Sequence, residues 1–164
     1  MDKQPLGCTL RCATQEDIQT LVQLRLDFLR EDVGMLTPQE QRELTGTLED
    51  YFSQYLGHGC IATLAQVQGR AVSIALMVFT HRPAHPRFPT GTTAQLLNVY
   101  TLPEYRRRGL ATRVLRELVE QARCAGVSYI ELLASADGRP LYEMLGFTET
   151  RLPYTPMRLA LPRE

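Results

Sequence analysis

Three consecutive arginines, Arg106, Arg107 and Arg108, run directly into Gly109, Leu110 and Ala111. Guanidinium groups beside the start of a helix make an anion site. The first helical N–H groups have no intrahelical partner, the helix dipole adds positive charge, and arginine matches phosphate oxygens with a planar fork. Gly109 and Ala111 are small enough for a diphosphate to approach the backbone. The spacing is neither G-x-G-x-x-G nor G-x-x-x-x-G-K-[ST], so the dinucleotide and P-loop fingerprints do not apply. Nucleic acid is not an expected partner, because the chain is neutral and has no basic face with interleaved aromatics.

The elements around this loop position it. Residues 95–101 (Gln-Leu-Leu-Asn-Val-Tyr-Thr) have strand composition and stop at Pro103, which has no N–H for a ladder. From Gly109 the period changes: Leu110, Ala111, Val114, Leu115, Leu118, Val119 and Ala122 recur at helical spacing. Arg113–Glu117 and Arg116–Glu120 are spaced as i,i+4 pairs, and Gly126 stands where a C-terminal capping glycine belongs. Strand, basic loop and helix are followed by a strand at 127–134, which predicts a crossover joining a parallel pair.

Arg-x-x-Gly-x-Ala between a strand and a long helix resembles the acetyl-CoA-binding motif of the GNAT acyltransferase superfamily. A second segment, Leu141-Tyr142-Glu143-Met144-Leu145-Gly146-Phe147, is similar to that family's Leu-Tyr-x-x-x-Gly-Phe. The two motifs stand in the family's order, and the resemblance covers about Gly59 to Leu161. It implies an α/β (α+β) fold over 1–164 as a single domain. The sheet would be mixed and mainly antiparallel, flanked by helices, with a parallel central pair that splays apart. It implies acetyl-CoA as co-substrate, bound by the backbone of Val99, Tyr100 and Thr101, by Arg106, Arg107, Arg108, Gly109, Leu110, Ala111 and Thr112, and by Ser135. No metal is implied.

The implied reaction is transfer of an acetyl group from acetyl-CoA to a primary amine by direct attack in a ternary complex, the acceptor being a small molecule (a polyamine, an aminoglycoside or an amino acid) or a peptide or protein amine. Tyr142 matches the family's general acid, and a phenol with a pKa of about 10 suits a departing thiolate. The plainer reading of Tyr142 is a core tyrosine packing the last helix. The base is where the chain departs from the pattern. An alkylamine is neutral in only about one molecule in 2,500 at pH 7, a deficit of roughly 4.6 kcal/mol. The position eleven residues before Arg106, a glutamate in some members, is Gln95, which accepts no proton. Asn98 and Glu131 are candidates to hold a relay water. The position seven residues before Tyr142, often asparagine, is Ser135. A non-catalytic acyl-CoA-binding sensor or interaction module is the rival reading that Gln95 favours.

Composition sets the outer limits. At 164 residues, 44% hydrophobic and 22% charged, the chain has the length and apolar content for one domain with a core. Its longest mostly apolar run, 71–79, is far short of a bilayer span of about 20 residues, and the N-terminus has no secretory pattern. A membrane partner is not expected. Cys8, Cys12, Cys60 and Cys124 form no C-x-x-C pair, which reads as free thiols in a reducing cytoplasm. Residues 1–60 hold ten acids against five bases, while 61–164 hold eight against thirteen. The acidic part leans towards a cationic acceptor. The resembling family also contains many dimers, so a homodimer is compatible with the sequence.

The first part supplies the other expected elements. Leu6 to Ala13 reads as a strand, and Thr14 with Asp17 as a capping box opening a helix to about Arg30. Thr37 and Pro38 open a second helix ending near Gly57. Asp27, Glu31, Asp32, Glu49, Asp50, Tyr51 and Tyr55 are candidates near the acceptor, of which one or two are expected in the site. Residues 60–67 and 70–80 read as a hairpin turned at Gln68-Gly69, and 81–91 as a proline-rich loop carrying His81 and His85. A short helix at 141–145 and an antiparallel pair at 147–151 and 155–161 complete the expectation.

Overall fold

The computed structural model describes residues 7–162. Five strands form one sheet in the order β1 (Cys8–Cys12), β2 (Cys60–Val67), β3 (Arg70–His81), β4 (Thr92–Thr101) and β5 (Ile130–Glu131). The pairs from β1 to β4 are antiparallel, and β4–β5 is parallel. The helices are α1 (Ile18–Val33), α2 (Pro38–Tyr55), α3 (Leu110–Cys124) and α4 (Arg139–Met144). The chain divides into two compact units, Met1–Leu133 with the sheet and α1 to α3, and Ala134–Glu164 with α4.

The hairpin forms as its turn chemistry requires. Gln68 and Gly69 both have positive φ, 51° and 79°, the geometry of a two-residue turn that matches strand twist. Residues paired across the sheet share a face. Thr63, Ala75 and Val99 are aligned on the face that meets α3, where Gln121 Nε2 donates to Thr63 Oγ1 at 3.1 Å. Leu64, Ile74 and Tyr100 are aligned on the opposite face, where the Phe28 ring of α1 meets Tyr100 edge-on at 6.5 Å. The α3 stripe Leu110, Val114, Leu115, Leu118 and Ala122 is buried, as are Leu21, Val22, Leu24 and Leu26 of α1. Full burial of each such leucine or valine stabilises the fold by about 1.5–3 kcal/mol.

Several expectations are corrected. The strand expected at 127–134 is only two residues long. A bulge opposite Leu76/Met77 leaves Leu97 unmatched in β4, and a bulge bends its strand and increases local twist. That works against a longer flat ladder with β5. The antiparallel pair at 147–151 and 155–161 does not form among the described residues. Pro156 removes a ladder donor from the second of these segments. Arg113 does not pair with Glu117; its Nη2 donates to the Cys8 carbonyl at 3.3 Å, so α3 is tied to β1 instead. Glu120 pairs with Arg123 rather than Arg116. The first strand starts at Cys8; Leu6 lies outside the described residues.

Both expected caps are present. The Thr37 hydroxyl oxygen accepts from Glu40 N–H at 3.2 Å, and Glu40 Oε2 accepts from Thr37 N–H at 2.7 Å. Asp17 accepts from Thr14 N–H at 2.8 Å and takes a two-pronged bond from Arg11, at 2.6 and 2.7 Å. The Arg11 guanidinium, outweighing burial, lowers the Asp17 carboxyl to about 2. A depressed carboxyl contributes stability above its unfolded pKa, about 3.9, and that contribution is lost as pH falls through 2. Arg11 is 38% exposed on its side chain, so screening holds the contribution to about 1–2 kcal/mol. Asp17→Asn is expected to lower the urea unfolding free energy by that amount at pH 7, with the gap to wild type narrowing between pH 4 and pH 2.

Candidate functional site

The cradle lies at the N-terminus of α3. Gly109 caps the helix at φ 74°, ψ 9°, a left-handed conformation that glycine adopts without a Cβ penalty. Its carbonyl accepts from Arg113 N–H at 3.2 Å. The N–H groups of Leu110, Ala111 and Thr112 therefore precede the first intrahelical bond and need acceptors from elsewhere. Leu110 is buried as an anchor, whereas Ala111 and Thr112 are half-buried. Open backbone donors and a dipole at one helix end suit a diphosphate.

The three arginines do different things. Arg106 turns back: Nε donates to the Thr101 carbonyl at 2.9 Å, and Nη2 meets Glu31 Oε1 and Oε2 at 2.6 and 2.7 Å. Tyr100 OH donates to the same carboxylate at 3.2 Å. Burial, reinforced by Glu31, raises the Tyr100 pKa. Arg106 thus ties the loop to α1. Arg107 is exposed with φ 61°, and Arg108 Nη2 donates to the Glu104 carbonyl at 3.2 Å while lying over Tyr105. Both keep donors directed at solvent beside the cradle.

β4 leads into this loop. Among the described residues, its ladder to β5 has only the pairs Ala94–Ile130 and Gln95–Glu131, and from Leu96 onward the β5 side of β4 has no strand partner. Val99, Tyr100 and Thr101 lie in that part. Thr101 Oγ1 is 2.8 Å from Ser73 Oγ, and its carbonyl is already taken by Arg106.

Register assigns the faces that the sequence left open. Gln95 aligns with Val78 and Cys60, and Asn98 with Leu76 and Ala62. Gln95, its β5 partner Glu131, Asn98 and Tyr100 therefore share the face that meets α1. Gln95 and Glu131 are exposed, and Asn98 is buried with Oδ1 accepting from Arg25 Nη1 at 3.0 Å. Arg25, which belongs to no motif, joins this face through Asn98. Its signal is position: it is the charge on the apolar stripe between Leu21 and Phe28 of α1.

Of the remaining acceptor candidates, Asp32 and Asp50 are exposed, with no hydrogen-bond or ion-pair partner among the described residues, and others are engaged elsewhere. Glu49 accepts from Gln19 at 2.7 Å, and Asp27 pairs with Arg30 at 2.8 Å. Tyr51 packs against Phe52 and Tyr55, and burial, with Cys60 beside it, pushes its pKa up to about 12. In the proline loop His81 Nδ1 is 3.1 Å from Thr92 Oγ1, and His85 stacks on Phe88.

Within the second unit, Ser135 Oγ accepts from Gly138 N–H at 3.1 Å and its carbonyl from Arg139 N–H at 3.0 Å, which opens α4. Tyr142 is half-buried and edge-on to Phe147 at 5.9 Å. Its hydroxyl has no protein hydrogen-bond partner among the described residues, and burial raises its pKa.

A mixed sheet whose parallel pair β4–β5 parts after two residues, at one edge of the sheet rather than at its centre as expected, and a basic loop running from β4 into the N-terminus of a long helix match the architecture of GNAT acetyltransferases. The chain belongs to that family: the family model for the acetyltransferase (GNAT) family matches residues 19–147. It is similar to a predicted acetyltransferase from Clostridium acetobutylicum solved with acetyl-CoA. The two share 26% identity over 92% of this chain and 96% of that one, with a TM-score of 0.77. A putatively assigned acetyltransferase from Agrobacterium tumefaciens shares 25% identity over 92% and 99% of the two chains, with a TM-score of 0.67. A GCN5-related N-acetyltransferase from Ralstonia eutropha, at 20% identity over 92% and 99% with a TM-score of 0.77, shares the fold. No curated protein matches this chain.

The left-handed cap gives a direct test of the cradle's geometry. A Cβ at Gly109 meets no atom within 4 Å, so Gly109→Ala carries backbone strain without a clash. It is expected to cost about 1–2 kcal/mol of unfolding free energy in chemical denaturation.

Proposed function

We propose that this protein transfers the acetyl group of acetyl-CoA to a primary amine by direct attack in a ternary complex, with residues 1–164 acting as one functional domain. The family match runs across residues 19–147 and so spans both compact units in sequence. The observation that carries the reading is the set of open N–H groups behind the Gly109 cap, directly after the unpaired part of β4. Gly109, Leu110, Ala111 and Thr112, with Arg107 and Arg108, hold the diphosphate. The backbone of Val99 and Tyr100 serves the pantetheine arm as a further strand would, with Ser135 as an added polar contact. Arg106 holds Thr101 and Glu31 in place around them. No metal is needed for this chemistry, and free Cys8, Cys12 and Cys124 fit a reducing cytoplasmic setting.

Positioning converts a bimolecular encounter into an oriented one. The amine nitrogen attacks the thioester carbonyl carbon, the C–S bond breaks, and the thiolate takes a proton from Tyr142. A raised pKa keeps that phenol protonated at neutral pH. The proton leaving the amine needs an acceptor that Gln95 cannot provide. Glu131 stands beside Gln95 in the parallel register and brings a carboxylate to the same face, so it takes the proton through a water. The acidic end of α1 favours an acceptor carrying an ammonium group. The second reading, a non-catalytic acyl-CoA sensor, is favoured by Gln95 alone.

Titration calorimetry with acetyl-CoA is expected to show saturable binding that is lost in the fold-checked variant Arg108→Glu plus Gly109→Glu. No binding by folded, CoA-free wild type overturns the proposal. Tyr142→Phe and Glu131→Gln are each expected to lower kcat by about a hundredfold or more while acetyl-CoA affinity holds. The loss in Glu131→Gln is expected to shrink as pH rises towards the amine's own pKa.

A further inference from the structure

Arg25 is a charge on the buried side of its helix. Its neighbours on that stripe are Leu21 and Phe28, and its guanidinium lies 5.3 Å from the Phe28 ring centroid. Desolvation lowers its pKa, against a weaker opposite pull from Asp32. A guanidinium carries five N–H donors. Among the described residues, the hydrogen bond to Asn98 Oδ1 is the one that Arg25 makes, and no carboxylate oxygen lies within ion-pair distance. Arg11, Arg30 and Arg106, which are no more buried, pair with Asp17, Asp27 and Glu31. Withdrawn charges are ordinarily paired, so the least solvated of these arginines lacks the partner that the others have.

The other end of the Asn98 amide makes a second, independent point. Asn98 is 1% exposed, and its Nδ2 has no hydrogen-bond partner. The bond from Arg25 fixes Oδ1 towards the guanidinium and leaves Nδ2 as an orphan donor. Where α1 meets β4, Asn98 Nδ2 thus has no acceptor, and Arg25 has one neutral amide oxygen and no anion. The same face carries Tyr100, Gln95 and Glu131, so the deficit falls where the acceptor amine is proposed to react.

We propose that Arg25, held by Asn98, anchors a carboxylate of the acceptor, so that the acceptor is an amine that also bears a free carboxylate, as an amino acid does. The inference rests on the acetyltransfer reading and narrows its substrate class. A single guanidinium matches one planar carboxylate through a two-pronged bond, whereas a phosphate dianion calls for more positive charge than this face holds. Phe28 beneath the guanidinium restricts its plane, and Asn98 restricts its reach. Arg25 therefore sets specificity by positioning the acceptor and takes no part in the proton transfers.

Acetyl transfer is measured with matched pairs, alanine, aspartate, phenylalanine and lysine each against its α-carboxamide, with spermidine as an amine lacking a carboxylate. Wild type is expected to favour the carboxylate member of its best pair by about tenfold or more in kcat/KM, mainly through KM. Arg25→Gln is expected to reduce that ratio to about two or less, and Arg25→Lys to recover part of it. Asn98→Asp, which supplies Arg25 with an internal carboxylate, is expected to lower the ratio as well. Each ratio is taken within one preparation, so partial unfolding of a variant cancels. Equal rates within pairs, a preference that survives Arg25→Gln, or no turnover of any carboxylate member overturns the proposal. Acetyl-CoA calorimetry on the same samples separates the two readings: lost donor binding overturns acetyltransfer, whereas intact donor binding with no carboxylate preference overturns only the anchor.

Discussion

Two residue pairs hold β5 against β4, and the geometry of the candidate site follows from where that ladder stops. A parallel strand satisfies its backbone donors and acceptors only while its neighbour keeps step. Once β4 passes Gln95, its β5 side has no strand partner among the described residues, and after the loop the N–H groups of Leu110, Ala111 and Thr112 precede the first intrahelical bond of α3. One stretch of chain, from Leu96 to Thr112, therefore concentrates unmet hydrogen-bonding capacity that the rest of the sheet has spent in ladders. The bulge at Leu97 contributes to this break, because an extra residue bends its strand just where the pair parts.

The loop between β4 and α3 is held from the opposite side. Arg106 bonds the last carbonyl of β4 and the Glu31 carboxylate of α1, and Tyr100 reaches the same carboxylate. An arginine that the motif suggests for phosphate thereby secures α1 to the end of β4. Arg107 and Arg108 stay on the solvent side. Division of labour within a run of like residues is set by what each side chain can reach. Both partners of the Arg106–Glu31 pair are more than 40% exposed, so its worth is positional more than energetic.

The α1 face of the sheet combines opposite electrostatic demands. Glu31 and Glu131 offer negative charge, and Arg25 with Asn98 offers donors without an anion. A zwitterionic acceptor meets both demands, whereas a purely cationic polyamine meets only the first. That distinction appears only when α1 is laid against β4, since Arg25 and Asn98 are 73 residues apart in the chain.

The sequence by itself determined the elements whose signals are local. Hydrophobic period marked α1, α2 and α3; Gln68-Gly69 marked the hairpin; Thr37-Pro38 marked a helix start; and Arg-x-x-Gly-x-Ala marked the start of α3 and the family. Each of these depends on steric or hydrogen-bonding rules that act within a few residues. Tertiary structure decided the rest. The two-residue length of β5, the diversion of Arg113 to Cys8 and of Arg106 to Glu31, and the shared face of Gln95, Glu131 and Asn98 depend on which strands and helices lie side by side. A one-residue bulge reverses the facing of every residue beyond it, so no reading of alternation in β4 alone could assign those faces. Charge partners are chosen by reach across the sheet, and that reach exists only after the chain has folded.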